Sequence, residues 1–424
     1  MNMIEKKSER LGEQYYLIHH PSGLRIYVYP KPGYHSTYAI FGTKYGSINT
    51  SFQVEGQEPV KVPDGIAHYL EHKLFESEDG DAFARYAKTG ASANAFTSFD
   101  TTCYLFSCTE KVEESLEILL DFVQSPYFTA QTVQKEQGII GQEIRMYDDD
   151  PNWRVMFNLL GALYHNHPVK IDIAGTVESI AEITAEKLYT CYNSFYNLHN
   201  MALCVAGNVT VEQVVGLADR LLKPSKEQKV ETFFPEEPDT IVKERVEQKF
   251  PIAVPLFQLG FKETAGKQRA TAQELALTDI ILEALASKSS PLYRELMDAQ
   301  LINSSFGYEY FEGPGYASVI FTGESRDPDK TAQMIRNAVD KLHREGISEE
   351  TFERARRAVY GRNLSIFNST EAIGTVMINL SFADQEVFHY IDCIAQATLE
   401  EVHERLRHQL DCSRSALSVV SPME

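Results

Sequence analysis

Five consecutive residues, His68-Tyr69-Leu70-Glu71-His72, carry the chemistry most readily read from this chain. Two histidines four apart lie one turn apart on the same face of a helix, so both imidazoles can reach a single ion. Glu71, three residues after His68, stays near that face and can contact a water on the metal. Two neutral imidazoles and a poised carboxylate are the set needed for metal-assisted hydrolysis. The bland counterpart is a helix with a polar face. With only twelve histidines in 424 residues, chance does not often supply this spacing.

A catalytic zinc site takes three protein ligands, so a carboxylate or histidine must come from another element. The run Glu136-Gln137-Gly138-Ile139-Ile140-Gly141-Gln142-Glu143 offers two candidates. Glu136 and Glu143, seven apart, share one stripe of a helix and lie about two turns from each other. Gly138 and Gly141 fall between them, each costing roughly 1 kcal/mol in a helix interior. Such glycines are understandable where another helix or strand passes very close. Alternatively Gly138 ends the helix and both glutamates face solvent. Spacing alone leaves the two readings even.

The elements that must position these residues mix strands and helices. Strand-like alternation covers 24–29 and 37–41. The motif helix follows, with Asp64 as its expected N-cap. Ile66, Leu70 and Leu74 form an apolar line opposite His68 and His72. Residues 91–108 read as strand, ending in Cys103-Tyr104-Leu105-Phe106, and helices are expected over 112–124 and from 129 to about 146. Residues 201–209 read as a buried strand, with Thr210 capping the next helix. From 223 to 249 the chain is rich in charge and lacks helical periodicity until Val242, which reads as a linker. The second half then repeats the first. Phe257-Gln258-Leu259-Gly260-Phe261 echoes Ala39-Ile40-Phe41-Gly42, helices over 331–345 and on to about 364 echo 112–146, and Ala416-Leu417-Ser418-Val419-Val420 echoes the strand from Met201. The expectation is a duplicated α+β domain, 1–222 and 250–424, whose second copy lacks His-x-x-Glu-His.

Composition narrows the function classes. At 43% hydrophobic and 24% charged, the chain is an ordinary globular one, and its length calls for two or more domains. A formal net charge of −20 argues against nucleic acid as a partner, because phosphate binding needs clustered Lys and Arg. The six cysteines are scattered without a CxxC pair, which suits a reducing compartment. Residues 1–10 are polar and charged, and no run reaches the ~18 apolar residues of a spanning helix. The simplest address is a bacterial cytoplasm.

Taken together, the inverted zinc motif at His68, Glu71 and His72, the downstream Glu143, and the flanking Pro63-Asp64-Gly65-Ile66-Ala67 and Lys73-Leu74-Phe75 resemble the insulinase/pitrilysin family of inverzincin metallopeptidases. The likeness spans most of the chain, including the duplication. Lys73-Leu74-Phe75-Glu76 and Gly138-Ile139-Ile140-Gly141-Gln142-Glu143 make the first 220 residues most similar to the bacterial YmfH-type, processing-peptidase-like members. This resemblance implies two homologous half-rings, each an antiparallel sheet packed by helices on one face. It implies a zinc-dependent endopeptidase that cleaves unfolded peptides inside a closed chamber. His68, His72 and Glu143 would hold one Zn2+ per chain, Glu136 would support the site, and Glu71 would be the catalytic base. Gly90-Ala91-Ser92-Ala93-Asn94-Ala95-Phe96-Thr97 resembles the family's active-site edge strand, so Asn94, Ala95 and Phe96 would bind the peptide backbone.

One departure matters. Self-sufficient members carry an Arg and a Tyr in the second domain that bind substrate. Here Met297 stands where the Arg belongs and Asn303 or Ser304 where the Tyr belongs, with Arg294 and Tyr308 nearby but off register. The resemblance then implies the metal-bearing subunit of a heterodimer whose homologous partner supplies the pair, with a homodimer as the other assembly. A competing reading is a non-catalytic scaffold or assembly subunit on the same fold, although such subunits usually erode the metal motif. Glu386/His389 and Glu400/His403 have the Glu-x-x-His spacing of di-iron bundles, but the many strand signals argue against a bundle. His165, His167, His19 and His20 are expected at loops and the surface, and Trp153 as a packing anchor.

Overall fold

The computed structural model describes residues 2–78, 80–264, 266 and 269–423. In chain order the first half supplies strands β1 (Asn2–Ser8), β2 (Glu13–His19), β3 (Arg25–Pro30) and β4 (Thr37–Thr43), then helix α1 (Ile66–Leu74). Strands β5 (Ser92–Thr97) and β6 (Thr102–Cys108) follow, then helices α2 (Val112–Val123), α3 (Ala130–Asp148) and α4 (Pro151–Leu163), and strand β7 (Met201–Gly207). The second half supplies β8 (Arg245–Phe250), β9 (Leu256–Lys262), α5 (Ala272–Ala286), β10 (Gly307–Gly313) and β11 (Tyr316–Glu324). Helices α6 (Pro328–Glu345), α7 (Glu349–Leu364) and α8 (Thr370–Phe382) lead to β12 (Ser415–Pro422), with further elements between.

Two compact units result. The first comprises Met1–Ile144, Asp172–Phe233 and Ser365–Phe388; the second comprises Arg145–Ile171, Phe234–Leu364 and His389–Glu424. The first unit is built on a seven-stranded sheet ordered β1-β2-β3-β7-β4-β6-β5. β7 runs parallel to β3 and antiparallel to β4, and every other neighbouring pair is antiparallel. β4 and β7 are buried at every residue, which is why they read as continuous apolar runs rather than alternating ones. Both faces of the centre are therefore covered. Phe122 of α2 packs 5.6 Å from the ring of Tyr104, the cross-strand partner of Phe41, on one face. On the other face α8 presses so closely that a Cβ at Gly42 would sit 3.1 Å from Ile378 and Phe382.

The second unit repeats that arrangement. Its sheet is ordered β8-β12-β9-β11-β10, with β8 and β12 parallel and the other neighbours antiparallel, matching β3-β7-β4-β6-β5 strand for strand. Gly260 pairs with Ala416 as Gly42 pairs with Ala202. It too lies under a helix, α4, whose Leu163 would meet a Cβ there at 2.8 Å. Val155 of α4 joins Phe250 and Val420 in the buried core of this unit. The echoes at 257–261 and 416–420 are thus central strands in equivalent places.

The compact units divide differently from the contiguous halves expected at 1–222 and 250–424. α4, from the first half, belongs to the second unit, and α8, from the second half, belongs to the first. Between 223 and 249 the chain also pairs Val230–Thr232 with Ser51–Val54, and it begins β8. Amphipathic faces show that a helix will be covered, but not which sheet will cover it. No described helix is long and apolar enough to cross a membrane.

Candidate metal centre

α1 does not start as the sequence suggested. Gly65, not Asp64, is the N-cap, with a left-handed φ of 86° and no side-chain cap. Ala174 explains the glycine, since a Cβ at Gly65 would sit 2.3 Å from its carbonyl oxygen. The backbone of 174–175 therefore clamps the entry to α1, and Ser179 Oγ donates to Asp64 O at 2.9 Å. Downstream, all residues of the helix except His72 are buried, so His68 and Glu71 sit inside the unit rather than on a solvated polar face.

α3 continues unbroken through Gly138 and Gly141, which removes the reading in which Gly138 ends the helix. Close packing is not the reason for these glycines, because a Cβ at either would meet nothing within 4 Å. Nothing in the structure explains them. The Tyr69 hydroxyl donates to the Val133 carbonyl and ties α1 to α3. This brings the sequence-distant glutamates to the histidines.

One nitrogen each of His68 and His72 and one carboxylate oxygen of Glu143 all lie within 4.8 Å of one another. His72 Nε2 is 3.3 Å from Glu143 Oε2, and His68 Nε2 is 3.7 Å from Glu143 Oε1. Glu136 Oε1 sits 3.1 Å from His72 Nδ1. With Glu136 accepting the Nδ1 proton, Nε2 is the nitrogen of His72 that faces Glu143, and it would offer its lone pair only once a cation replaced the proton there. Nδ1 of His68 is buried without a hydrogen-bond partner, so this imidazole directs its polar contacts into the same cluster through Nε2. Two imidazole nitrogens and one carboxylate oxygen are a donor set of the kind that zinc takes, so these residues fit such an ion. It is the only such group of three or more among the described residues.

The charges respond to this crowding. Burial lowers the affinity of His72 for its proton, but hydrogen bonds to Glu136 and Glu143 more than reverse that and lift its pKa to about 10. Glu136 is correspondingly held below the usual carboxylate range by its bond to His72. Glu71 is pushed up by burial, partly offset by His68 and by a 2.7 Å hydrogen bond from Thr97 Oγ1. A cation held by these groups would compete with the His72 proton for the same nitrogen.

Asn94, Ala95 and Phe96 lie on β5, the last strand of its sheet, whose only described partner is β6. Asn94 is exposed and its side-chain oxygen accepts from the Ala95 amide. In the second unit, Met297 is 40% exposed and Arg294 is exposed on the helix Pro291–Asp298. Tyr308 donates at 3.0 Å to Glu283, which also receives Arg362 at 2.7 Å, so this hydroxyl is already engaged. His20 and His167 are buried and hydrogen-bonded rather than at the surface, the first to Ser22 and Asp219, the second to Pro314 O. Trp153 stacks on Tyr147 at 4.6 Å, a packing anchor as expected. The residue that sequence reading missed is Thr97. It closed the quoted edge-strand run, yet only the fold aims its hydroxyl at Glu71.

A sheet-and-helix unit repeated twice, with an inverted His-Glu-His helix in the first copy, defines a class that comparison makes specific. Residues 57–177 match the family described as Insulinase (Peptidase family M16), and residues 182–359 match the Peptidase M16 inactive domain. The chain is 41% identical over 422 residues to the Bacillus subtilis (strain 168) protein described as "Uncharacterized zinc protease YmfH", covering 98% of each. It also resembles the crystal structure of a protein described as an M16-like peptidase from Alicyclobacillus acidocaldarius. There the TM-score is 0.93 at 34% identity, covering 99% of this chain and 100% of that one. Pitrilysin shares the fold, with a TM-score of 0.76 at 17% identity, covering 99% of this chain and 46% of that one. The chain belongs to the M16 insulinase family of peptidases.

Proposed function

We propose that this chain is a zinc-dependent endopeptidase acting on unfolded peptides, with His68, His72 and Glu143 as ligands. One observation carries the reading. Two imidazoles from a single helical turn and one carboxylate from a second helix bring their ligating atoms within 4.8 Å of one another. Zinc held there would supply Lewis acidity to a hydrolysis. Glu71 accepts a proton from the attacking water and returns it to the leaving amine. Glu136 fixes the tautomer of His72. The open edge of β5 offers its backbone to an extended peptide, which tolerates many sequences.

Met297, Asn303 and Ser304 in place of the Arg/Tyr pair support a heterodimer in which a homologous subunit supplies that function around a closed chamber. The scattered cysteines support a cytoplasmic setting. An intact ligand set weighs against the scaffold reading, in which the metal motif would have no purpose.

The test combines zinc content with cleavage of a long quenched peptide by the purified chain, alone and with a co-purified partner. About one zinc per chain is expected, with Glu71→Gln retaining the metal and losing cleavage. A chain that holds no zinc, or a Glu71→Gln variant that turns over like wild type, overturns the reading.

A further inference from the structure

We infer that Thr97 is a positioning residue for Glu71, and that it acts from the same strand whose edge is open to a peptide. The inference rests on the peptidase reading above. Glu71 is buried and has two carboxylate oxygens, of which only one can face a water while the other is held. Thr97 Oγ1 donates to Oε2 at 2.7 Å, which leaves Oε1 for that task.

The direction of this bond follows from the surrounding hydroxyls. Thr102 Oγ1 donates to the Tyr45 carbonyl at 2.8 Å and lies 3.5 Å from Thr97 Oγ1. The proton of Thr102 is therefore spent on a backbone acceptor, and the single proton of Thr97 is free to go to the carboxylate. A β-branched side chain is stiff at χ1, so the strand backbone sets where this hydroxyl points. Thr97 is also the cross-strand partner of Thr102, which anchors it on the β6 side.

The other edge of β5 has no strand beside it among the described residues. A peptide adding there would hydrogen-bond residues 92–97 from the second side and further restrain the backbone at Thr97. Alternation places Thr97 on the face of Ala93 and Ala95, opposite Asn94 and Phe96. Binding of substrate along the edge and alignment of the base are thus linked through one strand. The side chains of Asn94 and Phe96 stay on the other face.

Thr97→Val keeps the branched shape and removes the hydroxyl, whereas Thr97→Ser keeps the hydroxyl. With a long quenched peptide, Thr97→Val is expected to lower kcat by roughly 10- to 100-fold at unchanged KM and zinc content. Thr97→Ser is expected to restore kcat to within about threefold. A crystal structure of Thr97→Val, compared with wild type, is expected to show the Glu71 carboxylate turned away from its wild-type orientation. Wild-type kcat in Thr97→Val, a change confined to KM, equal impairment of the serine variant, or an unmoved Glu71 carboxylate overturns the inference. If wild type itself holds no zinc and cleaves nothing, the peptidase reading has failed, and the Glu71 orientation in the two crystal structures then decides the role of Thr97.

Discussion

Glu136 Oε1 and His72 Nδ1 stand 3.1 Å apart, whereas the same ring nitrogen of His68 has no partner. The two imidazoles offered by α1 are therefore unequally supported. One has its Nδ1 oriented by a carboxylate, and the other has its Nδ1 buried against packing alone. Glu136→Ala is expected to weaken zinc binding by roughly 10- to 100-fold, as loss of a ligand-orienting carboxylate does. Glu143→Ala, which removes a proposed ligand, should cost more. Competition with a chromogenic chelator measures both. Equal affinity in wild type and Glu136→Ala would remove Glu136 from its supporting role.

Gly65 is the point at which the backbone gives α1 its starting direction. Gly65→Ala must force a left-handed residue and bring a methyl to 2.3 Å from the Ala174 oxygen, so either 174–175 or the helix start has to move. A stability loss of at least about 2 kcal/mol is expected, read as a lower urea midpoint, together with weaker zinc binding. Asp64→Ala should do much less, because the Asp64 side chain does not cap the helix. A larger loss from Asp64→Ala than from Gly65→Ala would contradict this account.

Much of this was legible from spacing. His68 and His72 share a helix face by local geometry, and α2 and α3 fall where periodicity put helices over 112–124 and 129–146. Glu143 needed the family resemblance, because helix geometry alone also allowed a solvent-facing stripe. Three features were hidden for physical reasons. The cap at Gly65 depends on a contact with Ala174, more than a hundred residues away, which no local pattern carries. The covering of β4 by α8 and of β9 by α4 depends on which sheet a buried helix finds, and α8 was not foreseen at all. The Thr97 bond to Glu71 joins a strand to a helix, so it exists only once both are placed.

Lys262 tests the economy of the second unit. Its ammonium is almost fully buried and bonds to Glu237 at 2.6 Å and to the carbonyls of Leu163, Pro238 and Thr240. Lys262→Ala would leave those acceptors without their donor, though Glu237 keeps the backbone amides of His165, Asn166 and His167. Breaking a buried pair in this way is expected to cost about 3–5 kcal/mol, measured by urea unfolding. A loss below about 1 kcal/mol would show the pair to be dispensable.

His167 gives the same region a pH dependence of definite sign. The ring is 1% exposed, accepts from the Val169 amide at Nδ1 and donates from Nε2 to the Pro314 carbonyl. Burial holds its pKa down to about 4, against 6.5 for the free side chain, with Lys262 lowering it further and Glu237 opposing. A buried histidine kept neutral binds its proton more weakly in the folded state than in the unfolded one. Its contribution is complete above about pH 6.5 and is lost as the pH falls to about 4. The loss should approach about 3 kcal/mol over that window. His167→Asn keeps an acceptor for the Val169 amide and cannot be protonated. That variant should start less stable at pH 7 and lose less than wild type between pH 6.5 and 4.5. Urea unfolding at both pH values separates the cases, and parallel losses in wild type and variant would place the acid sensitivity elsewhere in the protein.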